Sequence, residues 1–158
     1  TVTAQEEVGE RGALIAAKQV NPDLAIVFEG CPADDTAETP EMIQSAMGKG
    51  PMLRYFDVSM ITNPEFQEYA LEIAKINKIP VQVSVRSGGG TNGMAITQVQ
   101  GAPTIVVGIP VRYAHTPHCY VDFQDYQAAK ELVIQLIKNL DADKIQALVQ
   151  PLSKEWNK

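Results

Sequence analysis

Thr104-Ile105-Val106-Val107-Gly108-Ile109-Pro110 runs directly into Val111-Arg112-Tyr113-Ala114-His115-Thr116-Pro117-His118. The first seven residues are apolar and rich in β-branched side chains, which is the pattern of a strand buried inside a sheet. From Asp122 to Leu140 the period changes to that of a helix. Asp122 stands at the N-cap and Asp125 three residues on, in the capping-box position. Ala129, Leu132, Val133, Leu136, Ile137 and Leu140 form its apolar stripe. The eight residues between lie beyond the C-terminal end of an α/β strand, where such proteins place ligand and catalytic groups. Both histidines of the chain fall there.

Upstream, Val81 to Val85 alternates like a strand. Ser87-Gly88-Gly89-Gly90-Thr91-Asn92-Gly93 follows, and a helix is expected over 92–99. The glycines would let backbone approach a ligand, and the helix start offers free N–H groups. A tight turn needing positive φ accounts for them equally well. The turn is neither a Walker loop nor a dinucleotide fingerprint, since it lacks the Gly-Lys-Ser/Thr ending and the following acid. Asn63-Pro64-Glu65 is a helix start, with Phe66, Tyr69, Ala70, Ile73 and Ala74 on one face. Residues 51–56 read as a strand, and 30–50 as a long irregular loop of the kind that often carries function. Leu24 to Phe28 reads as a strand buried on both faces, delivering Glu29 at its end. Ala13 to Val20 is expected to be a helix stopped by Asn21-Pro22. Thr1 to Gln5 reads as a strand with Glu6-Glu7 at its end and a turn over 8–12. That start, without an initiator methionine, suggests a piece of something longer. Asp141 to Val149 is read as a last short helix. Pro151 to Lys158 is read as a polar tail, with Trp156 docking it. Strands and helices alternate, so the expected fold is α/β: one domain over 1–158, with a mixed, mainly parallel sheet flanked by helices.

The 158 residues are 45% hydrophobic and 20% charged, with a formal charge of −6. That balance suits a globular chain. It disfavours a nucleic-acid or anionic-membrane partner, because both repel an acidic surface. There is no apolar run long enough to span a bilayer. Two cysteines, Cys31 and Cys119, make no disulfide framework, so a reducing cytoplasm is expected.

Glu6-Glu7, Glu29 and His115 are far apart in sequence but all sit at expected strand ends. Imidazole with carboxylates is a donor set for a borderline or hard divalent metal. Ordinary solvated acids and a loop histidine would give the same pattern.

Five stretches in order carry a resemblance: Ala4-Gln5-Glu6-Glu7-Val8-Gly9, Ala25-Ile26-Val27-Phe28-Glu29, Gly48-Lys49-Gly50-Pro51, Gly89-Gly90-Thr91-Asn92, and Pro110 to Thr116. Together they resemble the tetrahedral-aminopeptidase and glutamyl aminopeptidase family of co-catalytic metallopeptidases, the group with endoglucanase-M-like proteins. The resemblance implies a truncated zinc-exopeptidase-like catalytic domain. It implies removal of N-terminal residues from short peptides through water shared by two zinc or cobalt ions. Glu6 corresponds to the general base, and Glu7, Glu29 and His115 to metal ligands. Gly89, Gly90, Thr91 and Arg112 correspond to substrate-binding positions.

The chain departs from the family pattern in places. Many relatives carry aspartate where Asn92 stands, and aspartate where Glu29 stands. The remaining histidine ligand, the bridging aspartate and the insert domain lie upstream of the Glu-Glu pair in the family. The resemblance therefore makes this chain the C-terminal half of the catalytic domain, inactive by itself, from a homo-oligomeric enzyme. His118 matches no ligand position and is read as a loop residue. Adjacent strand residues face opposite ways, so Glu6 and Glu7 can share a site only if the strand ends or kinks there. The other class of reading is a non-catalytic α/β module that binds or assembles through the same surface.

Overall fold

The apolar run at Thr104 forms β4 (Thr104–Arg112), an inner strand of the sheet. The computed structural model describes residues 1–149, so the tail with Trp156 lies outside the described residues. β4 pairs in parallel with β1 (Ala25–Pro32) and antiparallel with β2 (Met52–Phe56). β2 pairs in parallel with β3 (Gln82–Val85), and a two-residue β5 (Tyr120–Val121) adds antiparallel to the end of β4. The order is β1-β4-β2-β3, a mixed and mostly parallel sheet.

Helices cover both faces. α1 (Arg11–Val20) packs on α3 (Asn92–Gln100), which lies against β1 and β4. α2 (Pro64–Ile76) and α4 (Phe123–Asn139) cover the other face, and α5 (Ala142–Val149) follows. The larger core is on the α2/α4 side, where Leu53, Ile105 and Val107 meet Phe66, Leu132 and Leu136. Each such side chain contributes about 1.5–3 kcal/mol by leaving water. A smaller cluster of Val27, Met60 and Val106 packs under α3.

Local signals explain the helix ends. Asn63 Oδ1 accepts the Phe66 N–H, with Pro64 at the first helical position. Asp122 caps α4 through the Gln124 N–H. The capping box expected at Asp125 does not form. Its carboxylate turns away and accepts the N–H groups of Gly48 and Gly50 at 2.6 and 2.7 Å. Gly50 has φ +88° and a side chain there would collide with Pro80, so the loop entering β2 can run close enough for that bond only with glycine.

Three other expectations are corrected. Thr1 to Gln5 is not a strand, and Val2 is fully exposed. The carbonyls of Ala4, Gln5 and Glu6 instead accept the N–H groups of Gly12, Arg11 and Glu10 at the start of α1. Those donors have no partner inside the helix, so an alternating pattern without a neighbouring strand yields to them. β1 is not buried on both faces: it is an edge of the described sheet and Phe28 is 41% exposed. It also runs three residues past Glu29. In α4, Ile137 falls off the buried stripe and is exposed.

Candidate active site

The C-terminal ends of β1 and β4 open into a cavity of about 680 Å³. Glu6, Glu7, Glu29 and His115, three separate stretches of the chain, all line it. Gly88, Gly89, Gly90 and Asn92 line it as well.

Glu6 and Glu7 reach one cavity because they are not on a strand. Gln5 has φ +63°, and Glu6–Val8 forms a short 3-10 turn. In such a turn successive side chains are about 120° apart, not opposed. The turn is fastened to α1 by the bonds from Gly12, Arg11 and Glu10. A Cβ on Gly12 would strike the backbone of Ala4, so this fastening requires glycine. His115 sits in the turn after β4, with φ +61°, and Tyr113 has φ +60°. Positive φ is rare outside glycine and marks positions where the surroundings impose the conformation. Of the six such residues among those described, Gln5, Glu10, Tyr113 and His115 flank this cavity or its supporting turn.

His115 Nε2 lies 3.1 Å from Glu7 Oε1, with both side chains largely exposed. Glu29 points to the α1/α3 side and faces Arg54 Nη2 at 3.5 Å. Its carboxyl is pushed up to about 7, first by burial and then by Glu6, Asp57 and Glu10, against the lowering effect of Arg54. Glu6 is raised as well, by burial and by its neighbours Glu7 and Glu10. Both effects follow from crowding negative charge in a partly dry cleft.

The donor types suit a divalent ion, since imidazole and carboxylates are ligands for zinc and cobalt. Glu7 and His115 are already in contact. Yet among the described residues no three His, Cys, Asp or Glu side chains are grouped closely enough to hold a metal ion. Asn92 Oδ1 is buried without a hydrogen-bond partner among the described residues.

Two residues expected at substrate-binding positions, Thr91 and Arg112, are not among those that line the cavity. Thr91 is fully buried and caps α3 by accepting the Gly93 N–H, so Gly89 and Gly90 line the cavity and it does not. Arg112 is held by both oxygens of Asp35, at 3.0 and 2.8 Å, and does not line the cavity. The loop over 33–50 is equally well fastened. Asp34 accepts the N–H groups of Gln44 and Ser45 and pairs with Arg86, and Asp35 accepts the Met47 N–H.

Sequence reasoning missed Arg54, Arg86 and Glu10. Arg54 and Arg86 line the cavity, and Glu10 Oε1 lies against Gly90. An arginine in the middle of the apolar run 52–56 was the available signal, because arginine is seldom buried unless paired.

No helix among the described residues is long and apolar enough to cross a membrane. Comparison with known proteins agrees with the geometry. The Peptidase M42 family profile, described as M42 glutamyl aminopeptidase, matches residues 1–132. The chain is 31% identical over 141 residues to the glutamyl aminopeptidase of Lactococcus lactis, covering 89% of this chain and 39% of that protein. The crystal structure of a TET aminopeptidase from a marine-sediment thaumarchaeon superposes with a TM-score of 0.89 at 40% identity, covering 93% of this chain and 42% of that one. The Pyrococcus horikoshii TET1 peptidase, which can assemble into a tetrahedron or an octahedral shell, superposes at 0.73 with 29% identity, covering 87% and 40%. The chain thus spans about two fifths of the length of the relatives it matches. With the motif order, the sheet topology and the family profile in agreement, the chain belongs to the M42 glutamyl aminopeptidase family.

Proposed function

We propose that this chain is the C-terminal part of the catalytic domain of a metal-dependent aminopeptidase that releases N-terminal residues from short peptides. One observation carries the reading: Glu6, Glu7, Glu29 and His115, from three separate stretches, line one cavity beside the glycine turn. Glu7, Glu29 and His115 would hold divalent ions, zinc or cobalt, as ligands. Such ions, when bound, lower the pKa of water and polarise the scissile carbonyl. Glu6 takes the proton. Its raised pKa, closer to neutrality than an ordinary carboxyl, suits proton transfer near physiological pH. Gly89 and Gly90 bring backbone close enough to steer a bound peptide.

In this reading the chain by itself holds an incomplete ligand set, with Glu7, Glu29 and His115 its only contributors. The complete protein is proposed to assemble into a homo-oligomer, by likeness to the assembling relative. A cytoplasmic location is part of the proposal; two cysteines that form no disulfide, Cys31 and Cys119, support it.

The test is to assay the complete enzyme and the 158-residue chain separately on leucyl and glutamyl peptides, with zinc or cobalt and with metal titration. The complete enzyme should turn over with two ions, and the chain alone should bind weakly and turn over little. Absence of hydrolysis by the complete enzyme would overturn the aminopeptidase reading. Robust turnover by the chain alone would overturn the partial-domain reading.

A further inference from the structure

We propose that Arg54 is a positioning residue that aims Glu29 into the active-site cavity, with Asp57 as its fixed anchor. The inference rests on the functional reading above and adds a residue to which that reading gives no role.

Arg54 lies on β2 with its side chain only 5% exposed. Nη1 donates to Asp57 Oδ2 at 3.0 Å, and Nη2 faces Glu29 Oε1 at 3.5 Å. Nε has no hydrogen-bond partner among the described residues. A buried guanidinium with unfilled donors in a cavity wall is costly unless its charge is used. The two carboxylates it touches differ in kind. Asp57 is immobile, because its Oδ1 accepts the Ser59 N–H, the Ser59 hydroxyl and the Met60 N–H. Burial pushes the Asp57 carboxyl up, but these bonds and Arg54 outweigh it, leaving it below the usual range and ionised. Glu29, in contrast, accepts no hydrogen bond from the described residues beyond its contact with Arg54.

The backbone of Arg54 is fixed too, since its carbonyl accepts the Thr62 hydroxyl at 2.5 Å. Position is therefore transmitted from the turn over 57–62, through Asp57 and Arg54, to one oxygen of Glu29. The other oxygen, Oε2, is left for a cation. The charge matters as well as the geometry. Glu6 and Glu10 both repel Glu29, and Arg54 is the nearby cation that opposes them. Partners that orient a metal-binding carboxylate in this way commonly change metal affinity by about 10–100-fold.

The experiment uses the complete enzyme and the variants Arg54→Met and Arg54→Lys. Arg54→Met leaves Asp57 three of its donors, so the turn should persist. Cobalt binding is followed by calorimetry and by the visible absorption of the bound ion, and kcat and KM by peptide hydrolysis. Arg54→Met should weaken cobalt binding about 10–100-fold and alter the cobalt spectrum. It should lower kcat at limiting cobalt, leave KM within about twofold, and regain kcat with excess metal. Arg54→Lys should lie between, because it keeps the charge but not the two-pronged contact. Cobalt affinity and spectrum equal to those of the unsubstituted enzyme, in either folded variant, overturn the role of Arg54 alone. If Arg54→Met does not fold, Arg54→Lys decides: binding weakened threefold or more supports the role, and unchanged binding overturns it. Failure of the unsubstituted enzyme to bind cobalt overturns the functional reading itself, and this role with it.

Discussion

The loop over 33–50 and the segment over 4–12 are both irregular, both acidic, and both close to the same cavity. They hold their acids in opposite ways. Asp34 and Asp35 accept backbone N–H groups and each closes on an arginine, so their lone pairs are occupied. Asp125, which reaches this loop from α4, is occupied in the same manner. In the segment over 4–12 it is the backbone that is bonded, while the side chains of Glu6 and Glu7 remain directed at the cavity. An acid with its oxygens filled supports the fold. An acid fixed by its backbone, as Glu6 is, or met only by an exposed imidazole, as Glu7 is by His115, is available for chemistry.

The most severe way to break this contrast is Glu6→Gln in the complete enzyme. It should lower kcat by about 10²–10⁴-fold while leaving metal stoichiometry unchanged. Stability should stay within about 0.5 kcal/mol, since no hydrogen bond among the described residues depends on this carboxyl. Kinetics beside a urea melt checks both parts. Surviving activity, or a lost ion, means the roles of Glu6 and Glu7 are reversed.

Asp125→Ala should do the reverse. It leaves the N–H groups of Gly48 and Gly50 without an acceptor beside a buried position, at a cost of about 2–5 kcal/mol. Chemical denaturation of the variant measures this, and a change below about 1 kcal/mol would show that water replaces the carboxylate.

Glu29 sharpens the comparison, because it is buried yet poorly bonded. Its pKa in the fold is about 7 against an ordinary 4.5. A carboxyl raised in this direction supports the fold while it is neutral. That support is complete below about pH 4.5 and is lost as pH rises through about 7. Chelator-treated protein should therefore lose on the order of 2–3 kcal/mol across that window, and Glu29→Gln should flatten the loss. A pH slope that is the same in Glu29→Gln assigns the titration elsewhere.

The smallest expected effect contrasts the two thiols. Burial pushes Cys31 up to about 11, although its hydrogen bond with Ser45 opposes the shift. Cys119 is exposed at the cavity. A maleimide at neutral pH should label Cys119 quickly and Cys31 only on unfolding, as mass spectrometry of the peptides would show. Rapid labelling of Cys31 would mean that β1 opens readily from the edge it forms in the described sheet.

The sequence by itself determined the alternation of strands and helices, because apolar period and end residues act locally. The run at 104–110, the Asn63-Pro64 start and the stripe from Phe66 to Ala74 needed nothing from elsewhere in the chain. The same local reasoning failed where a local pattern competed with distant partners. Thr1 to Gln5 alternates like a strand but is drawn to the start of α1. Asp125 occupies a capping-box position but bonds to glycines 75 and 77 residues away. The motif order also pointed to Glu6, Glu7, Glu29 and His115, whose chemistry is written in their side-chain types. Only the tertiary structure decided which charged groups are filled and which are not. Arg112 is closed off by an aspartate 77 residues distant, and Arg54 gains its place from a neighbouring turn and a strand two positions across the sheet. Hydrogen bonds and ion pairs act over a few ångströms in space and are indifferent to separation along the chain, so their partners appear only when the strands are laid side by side.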